Sequence, residues 1–84
     1  MTFADLSQTL DAAREQIRID RVELTDDARS MLFDHFAFGG IPYNTVSRVS
    51  VPVATLKGKP TRKWFHVIVS RLDNGRYELV SYAN

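Results

Sequence analysis

Pro52 stands inside a valine-rich run, Val49-Ser50-Val51-Pro52-Val53, and that run constrains the fold more than any other stretch. Its valines recur at every second position, the pattern of a strand with one buried face. A proline within a helix costs about 3 kcal/mol, because it removes an N–H and its ring meets the preceding turn. An edge strand tolerates it, since one row of its N–H groups has no partner. Six of the 13 residues from Asn44 to Leu56 are Val or Thr, which suit pleated backbone. A strand is therefore expected over 44–56. A helix over 43–50 escapes the proline penalty and stays open as the alternative.

Two more strands are expected after it, over 63–72 and 76–83. "KWFHVIVSRL" and "RYELVSYA" flank Asp73-Asn74-Gly75, and an Asn-Gly pair between such runs signals a hairpin. A three-residue loop with Gly75 in the left-handed region is expected. A two-residue turn would shift the register and set Arg71 opposite Glu78. "KGKPTR" is read as the loop between the first two strands.

The first forty residues read differently. Leu6, Leu10, Ala13 and Ile17 form one apolar stripe of a helix over 4–18, with Asp11–Arg14 and Glu15–Arg18 spaced to pair outside it. "IDRVEL" alternates over 19–24, as a short edge strand or a spacer. Thr25 caps a second helix, and Asp26 and Asp27 favour its N-terminal dipole. Ala28, Met31, Leu32, His35 and Phe36 share a face, Phe33 and Phe38 lie off it, and Gly39-Gly40 ends the helix. The expected class is α+β: two N-terminal helices packed on a three-stranded antiparallel β-meander. The alternative, with a helix at 43–50, is a winged helix-turn-helix.

At 84 residues the chain makes one domain, 1–84, with a modest core. It has no cysteine, which excludes disulfides, thiolate catalysis and Cys-based zinc sites. The N-terminus lacks a basic segment followed by an apolar run, and no apolar stretch approaches a membrane span. A cytoplasmic protein without membrane contact is expected. His35 and His66 are too far apart in sequence to suggest a metal, and no phosphate loop or nucleophile elbow is present. No cofactor and no catalysis are expected.

Charge is more informative in its layout than in its total of +1. Residues 1–40, the helical half, carry eight acidic side chains against four arginines. Residues 41–84, the β half, carry Arg48, Lys57, Lys59, Arg62, Lys63, Arg71 and Arg76 against Asp73 and Glu78. The halves stand at −4 and +5, which suits nucleic acid or an acidic protein surface as partner, unless the halves pack together and compensate. Phe65, Val67 and Val69 are assigned to the core. Trp64, His66 and Ile68 then share the other face, with Arg48 and Tyr82 on neighbouring strands. The candidate binding surface is Arg48, Lys57, Lys59, Arg62, Lys63, Trp64, His66, Arg71, Arg76 and Tyr82. Such a mixture of rings and cations holds single-stranded nucleic acid by stacking and phosphate pairing. The bland reading makes Trp64 a core anchor and leaves the basic loop merely solvated. Monomer and homodimer both fit.

Three resemblances bear on function. Gly40-Ile41 followed by Thr45-Val46-Ser47-Arg48-Val49 is similar to the turn and recognition helix of LacI-type repressors. That implies Ile41, Val46 and Val49 buried, and Tyr43, Asn44 and Arg48 facing a major groove. Phe36 departs from it, standing where two tightly crossing helices want a small side chain. Second, the size, the lack of catalytic motif and the separated charges are similar to those of small phage or plasmid inhibitors. Such anti-CRISPR-like proteins bind nucleic-acid-handling complexes. Third, "RVELTDDARSML" with "RKWFHVIVSRLDNGRYELV" is similar to RelE/ParE-type toxins. RelE-type members cut ribosome-bound mRNA, which would make Arg62, Arg71 and Tyr82 the candidates. An extra N-terminal helix and a missing second helix depart from that family. The favoured function is a non-enzymatic nucleic-acid-binding module, with the protein inhibitor or regulator as the alternative.

Overall fold

A computed structural model describes residues 1–83. In chain order the elements are β1 (Thr2–Phe3), α1 (Leu6–Ile19), β2 (Val22–Glu23), α2 (Asp26–Gly39), β3 (Thr45–Thr55), β4 (Pro60–Arg71) and β5 (Tyr77–Ala83). The class is α+β. The sheet has five antiparallel strands in the order β1-β5-β4-β3-β2.

The expected three-stranded meander is its centre, and the count of three is corrected to five. β1 and β2 extend its two sides through two residue pairs each, Thr2–Glu78 and Phe3–Tyr77, and Val22–Thr55 and Glu23–Ala54. A two-residue strand is too short to show alternation, so partners distant in sequence define it. The helices are likewise more than a layer on a meander, because each is threaded between sheet strands: α1 follows β1, and α2 follows β2.

The helix alternative at 43–50 is overturned, and the winged helix-turn-helix with it. Thr45 to Pro52 pairs continuously with β4, from Thr45–Arg71 through Val49–Val67 to Pro52–Trp64. Pro52 lies where β3 has a strand on one side only, which is where a missing N–H costs least. The ladder shifts between Pro52 and Ala54. The "KGKPTR" loop is shorter than expected. β4 begins at Pro60, so Arg62 and Lys63 are strand residues.

Local chemistry explains the ends of the elements. Asp5 caps α1, its carboxylate accepting from the Gln8 N–H at 2.8 Å. Thr25 caps α2, its hydroxyl accepting from the Ala28 N–H at 3.2 Å. Gly40 follows α2 at φ +65°. The hairpin after β4 is the three-residue form: Leu72 N–H donates to Arg76 O at 2.9 Å, and Gly75 has φ +82°. Arg71 therefore pairs with Tyr77 and not with Glu78. A Cβ on Gly75 would meet only Tyr43 Cε1 at 3.8 Å, so the cost of filling it is conformational. Gly75→Ala is expected to destabilise by about 1 kcal/mol and lower Tm by roughly 4–8 °C in a melt followed by circular dichroism.

Leu10, Ala13 and Ile17 of α1, with Leu32 and Phe36 of α2, bury against Val51, Val53, Phe65, Val67 and Val69 of the sheet. Thr9 is also fully buried, its hydroxyl donating to Asp5 O at 2.8 Å. Met31 and His35 of the expected α2 stripe face solvent, so the buried stripe is narrower than its pattern. Phe38 is exposed too.

Candidate functional site

Alternation divides the central sheet into two faces. Val49, Val51 and Val53, Phe65, Val67 and Val69, and Tyr77 and Leu79 turn toward the helices. The other face carries Arg48, Ser50 and Pro52 on β3, Trp64, His66 and Ile68 on β4, and Val80 and Tyr82 on β5. It is left to solvent: Trp64 is 47% exposed and Tyr82 42%.

At the middle of this face the register sets Ser50, His66 and Tyr82 side by side on three strands. The His66 ring is only 8% exposed, and its centroid lies 4.9 Å from that of Tyr82. Ser50 Oγ lies 2.6 Å from His66 Nδ1, and Arg48 Nη2 lies 3.3 Å from the same nitrogen. A guanidinium can only donate, so in the Arg48 contact Nδ1 is the acceptor. Trp64 stands two residues along β4, about 6.6 Å away on the same face. Trp64 lies along β4 from His66 and Tyr82 lies across the strands from it, so the three rings form an L with His66 at its corner.

The cations border that cluster. Lys57 and Lys59 flank Gly58 in a tight turn, closed by Thr55 N–H donating to Lys59 O at 2.7 Å. Arg62 and Lys63 lie at the same rim, where the β3–β4 ladder shifts between Pro52 and Ala54. All four are exposed. Among the described residues none of them makes a salt bridge, whereas three arginines of the helical half do. Arg14 pairs with Asp26, Arg29 with Asp11, and Arg18 with Glu23 and Glu15. The Arg18 hydrogen bond holds the Glu23 carboxyl below its ordinary value. The two halves do not cancel through paired side chains. The acidic half pairs three of its four arginines internally and leaves the basic rim open. Asp11–Arg14, expected within α1, is replaced by these longer-range pairs.

Arg71 and Arg76 are not brought to this place. Arg71 shares parity with Phe65 and Val69, so it turns to the helix side at the far end of β4. Its guanidinium carbon lies 4.5 Å from the Tyr43 ring centroid and 5.4 Å from that of Tyr77, and Nη1 donates to Ile41 O at 3.4 Å. Arg76 ties β1 to the hairpin, with Nε donating to Thr2 Oγ1 at 2.7 Å and Nη2 to Thr2 O at 3.1 Å. Arg62, Arg71 and Tyr82 consequently do not share one face.

Ser50 was not among the expected site residues. Its place beside His66 depends on the β3–β4 register, which no turn residue announces. Nor was the groove of about 600 Å³ between α2 and β3, bordered by Met31, His35, Val51 and Pro52. Among the described residues no group of His, Asp and Glu is placed to hold a metal ion. No helix among them is long and apolar enough to cross a membrane. No protein-family model, curated protein or solved structure matches the chain.

Proposed function

We infer that this protein is a non-enzymatic binding module whose open sheet face engages single-stranded nucleic acid. The observation that carries the reading is the cluster of Trp64, His66 and Tyr82 beside four exposed cations that make no salt bridge among the described residues. Rings two residues apart on a strand are spaced about as bases on an extended strand are, and every base has a face to stack. Lys57, Lys59, Arg62 and Lys63 supply phosphate contacts along the rim. Arg48 is held by His66 and positions the ring cluster.

The chain's single tryptophan is the probe. Titration with a short oligothymidylate at low salt is expected to quench Trp64 fluorescence, with affinity falling as salt rises by roughly 0.7 in log–log slope per phosphate contact. Trp64→Ala, followed by fluorescence anisotropy of a labelled oligonucleotide, is expected to weaken binding by ~1–3 kcal/mol. An oligonucleotide that leaves Trp64 emission unchanged at low salt would remove this reading.

A protein partner is the second reading, and one observation favours it. The same face continues into Val46, Ile68 and Val80, of which Val46 is 63% and Val80 52% exposed. An aliphatic patch of that kind has no use for phosphate and suits a protein surface. An inhibitor or regulator of a nucleic-acid-handling complex would then use both ends of the face. Stoichiometric capture of one protein after nuclease treatment, with no affinity for free oligonucleotide, would select it.

A further inference from the structure

β3 is a long strand with an open side. β2 covers only Ala54 and Thr55, so among the described residues no strand pairs with Thr45 to Val53 opposite β4. The phase of the ladder says which backbone groups are left over. Leu72 N–H donates to Arg76 O, so by alternation Ser70, Ile68 and His66 bond to β5, while Arg71, Val69, Val67 and Phe65 bond to β3. Their β3 partners are Thr45, Ser47, Val49 and Val51. Val46, Arg48 and Ser50 therefore turn N–H and C=O outward, and Pro52 adds a carbonyl without an N–H.

The two flanks of this edge differ in chemistry. On one side is the groove against α2, bordered by Met31, which is 68% exposed, and by His35 and Val51, with Asp27 at its margin. On the other side is the open sheet face, where Arg48 is the charged residue of β3. A strand added here sends alternate side chains to the two flanks. Apolar side chains suit the groove, where Asp27 disfavours an acid. Acidic side chains suit the Arg48 flank. A second copy suits the edge poorly. A two-fold axis near the centre of the free stretch sets Arg48 at or beside the other copy's Arg48, and like charges so placed are destabilising. Shifting the axis toward Pro52 places the missing N–H within the pairing.

We propose that the free edge of β3 over Val46, Arg48 and Ser50 docks an extended segment of a partner protein in which apolar and acidic side chains alternate. The segment adds a sixth strand to the sheet. This surface does not rest on the nucleic-acid reading, because backbone groups and the α2 groove supply its contacts.

The test uses the whole chain, labelled with ¹⁵N, and a capped peptide of alternating Val and Glu. The expected result is saturable shifts of the Val46, Arg48 and Ser50 amides, with slowed exchange of those protons. A Val–Lys peptide binds roughly tenfold more weakly, as reversal of the one cross-strand pair with Arg48 dictates. Arg48→Glu reverses that preference. Met31→Glu, at an exposed position, weakens the Val–Glu peptide while the spectrum stays folded. A peptide N-methylated along the bonding edge does not bind. Shifts that fall elsewhere, or an N-methylated peptide that binds equally, would overturn the proposal. So would peptide-free dimerisation that protects the same amides, since it would give the edge to a second copy.

Discussion

Replacing Lys57, Lys59, Arg62 and Lys63 together by Ala is expected to lower affinity for single-stranded nucleic acid by nearly three orders of magnitude at 0.1 M salt, with the fold intact. Each lost phosphate contact removes roughly 0.7 from the log–log salt slope, so four remove about 2.8. At tenfold below the 1 M reference that slope is itself the logarithm of the affinity loss. The four side chains are exposed and unpaired, so no buried charge is orphaned by the change. Anisotropy titrations at several salt concentrations read both quantities, and circular dichroism reads the fold. An unchanged slope would show that the rim is idle. Trp64 and Tyr82 would then be left as contacts of a protein partner. The same substitution on Arg71 and Arg76 is expected to act differently. Those two hold Ile41 O and Thr2, so their loss reads out in stability before it reads out in binding.

The arrangement of the rim follows from how charge is shared between halves. An acidic half that pairs three of its four arginines internally makes no salt bridge with the lysines across the molecule among the described residues. Arg14, Arg18 and Arg29 join α1 to α2 and β2, bracing the connection between the helices. These exposed pairs are individually weak, worth about 0–1 kcal/mol. Their consequence is electrostatic as much as energetic, since they leave Lys57, Lys59, Arg62 and Lys63 as free charge beside the rings.

Period and turn chemistry made the centre of this fold legible. Val49, Val51 and Val53, with Phe65, Val67 and Val69, bury the alternate positions their pattern demands, and Asp73-Asn74-Gly75 closes the hairpin that sets the β4–β5 register. Trp64, His66, Arg48 and Tyr82 came together for the same reason: once one parity is inside, the other is outside. Parity also contained the information that Arg71 points inward, but its charge suggested a surface role. The remainder depends on distance in space. Thr2–Phe3 and Val22–Glu23 are strands only because Tyr77 and Ala54 lie beside them. Arg18 has Glu15 one turn away, yet its bidentate partner is Glu23 on β2. Ser50 meets His66 through a register that the Lys57-Gly58-Lys59 turn and the shift after Pro52 fix jointly.

Phe65→Ala and Trp64→Ala, at adjacent positions of β4, are expected to separate stability from recognition. Phe65 is 1% exposed and packs within the cluster that includes Leu10, Ile17 and Leu32. Truncating a buried Phe costs about 3–5 kcal/mol, part transfer and part cavity. A domain of this size holds roughly 4–13 kcal/mol in all, so Phe65→Ala forfeits a large share and is expected to melt far below the parent or fail to fold. Trp64 faces solvent with half its surface, and its loss is expected to cost stability about 1 kcal/mol or less. Urea titrations of both variants measure the contrast, read by circular dichroism because one variant lacks the tryptophan. The decisive comparison is between the midpoints at equal slope. A Trp64→Ala variant as unstable as Phe65→Ala would mean that the ring is a core anchor after all. The open face would then lose its principal stacking surface, and with it the reason to read that face as a binding site.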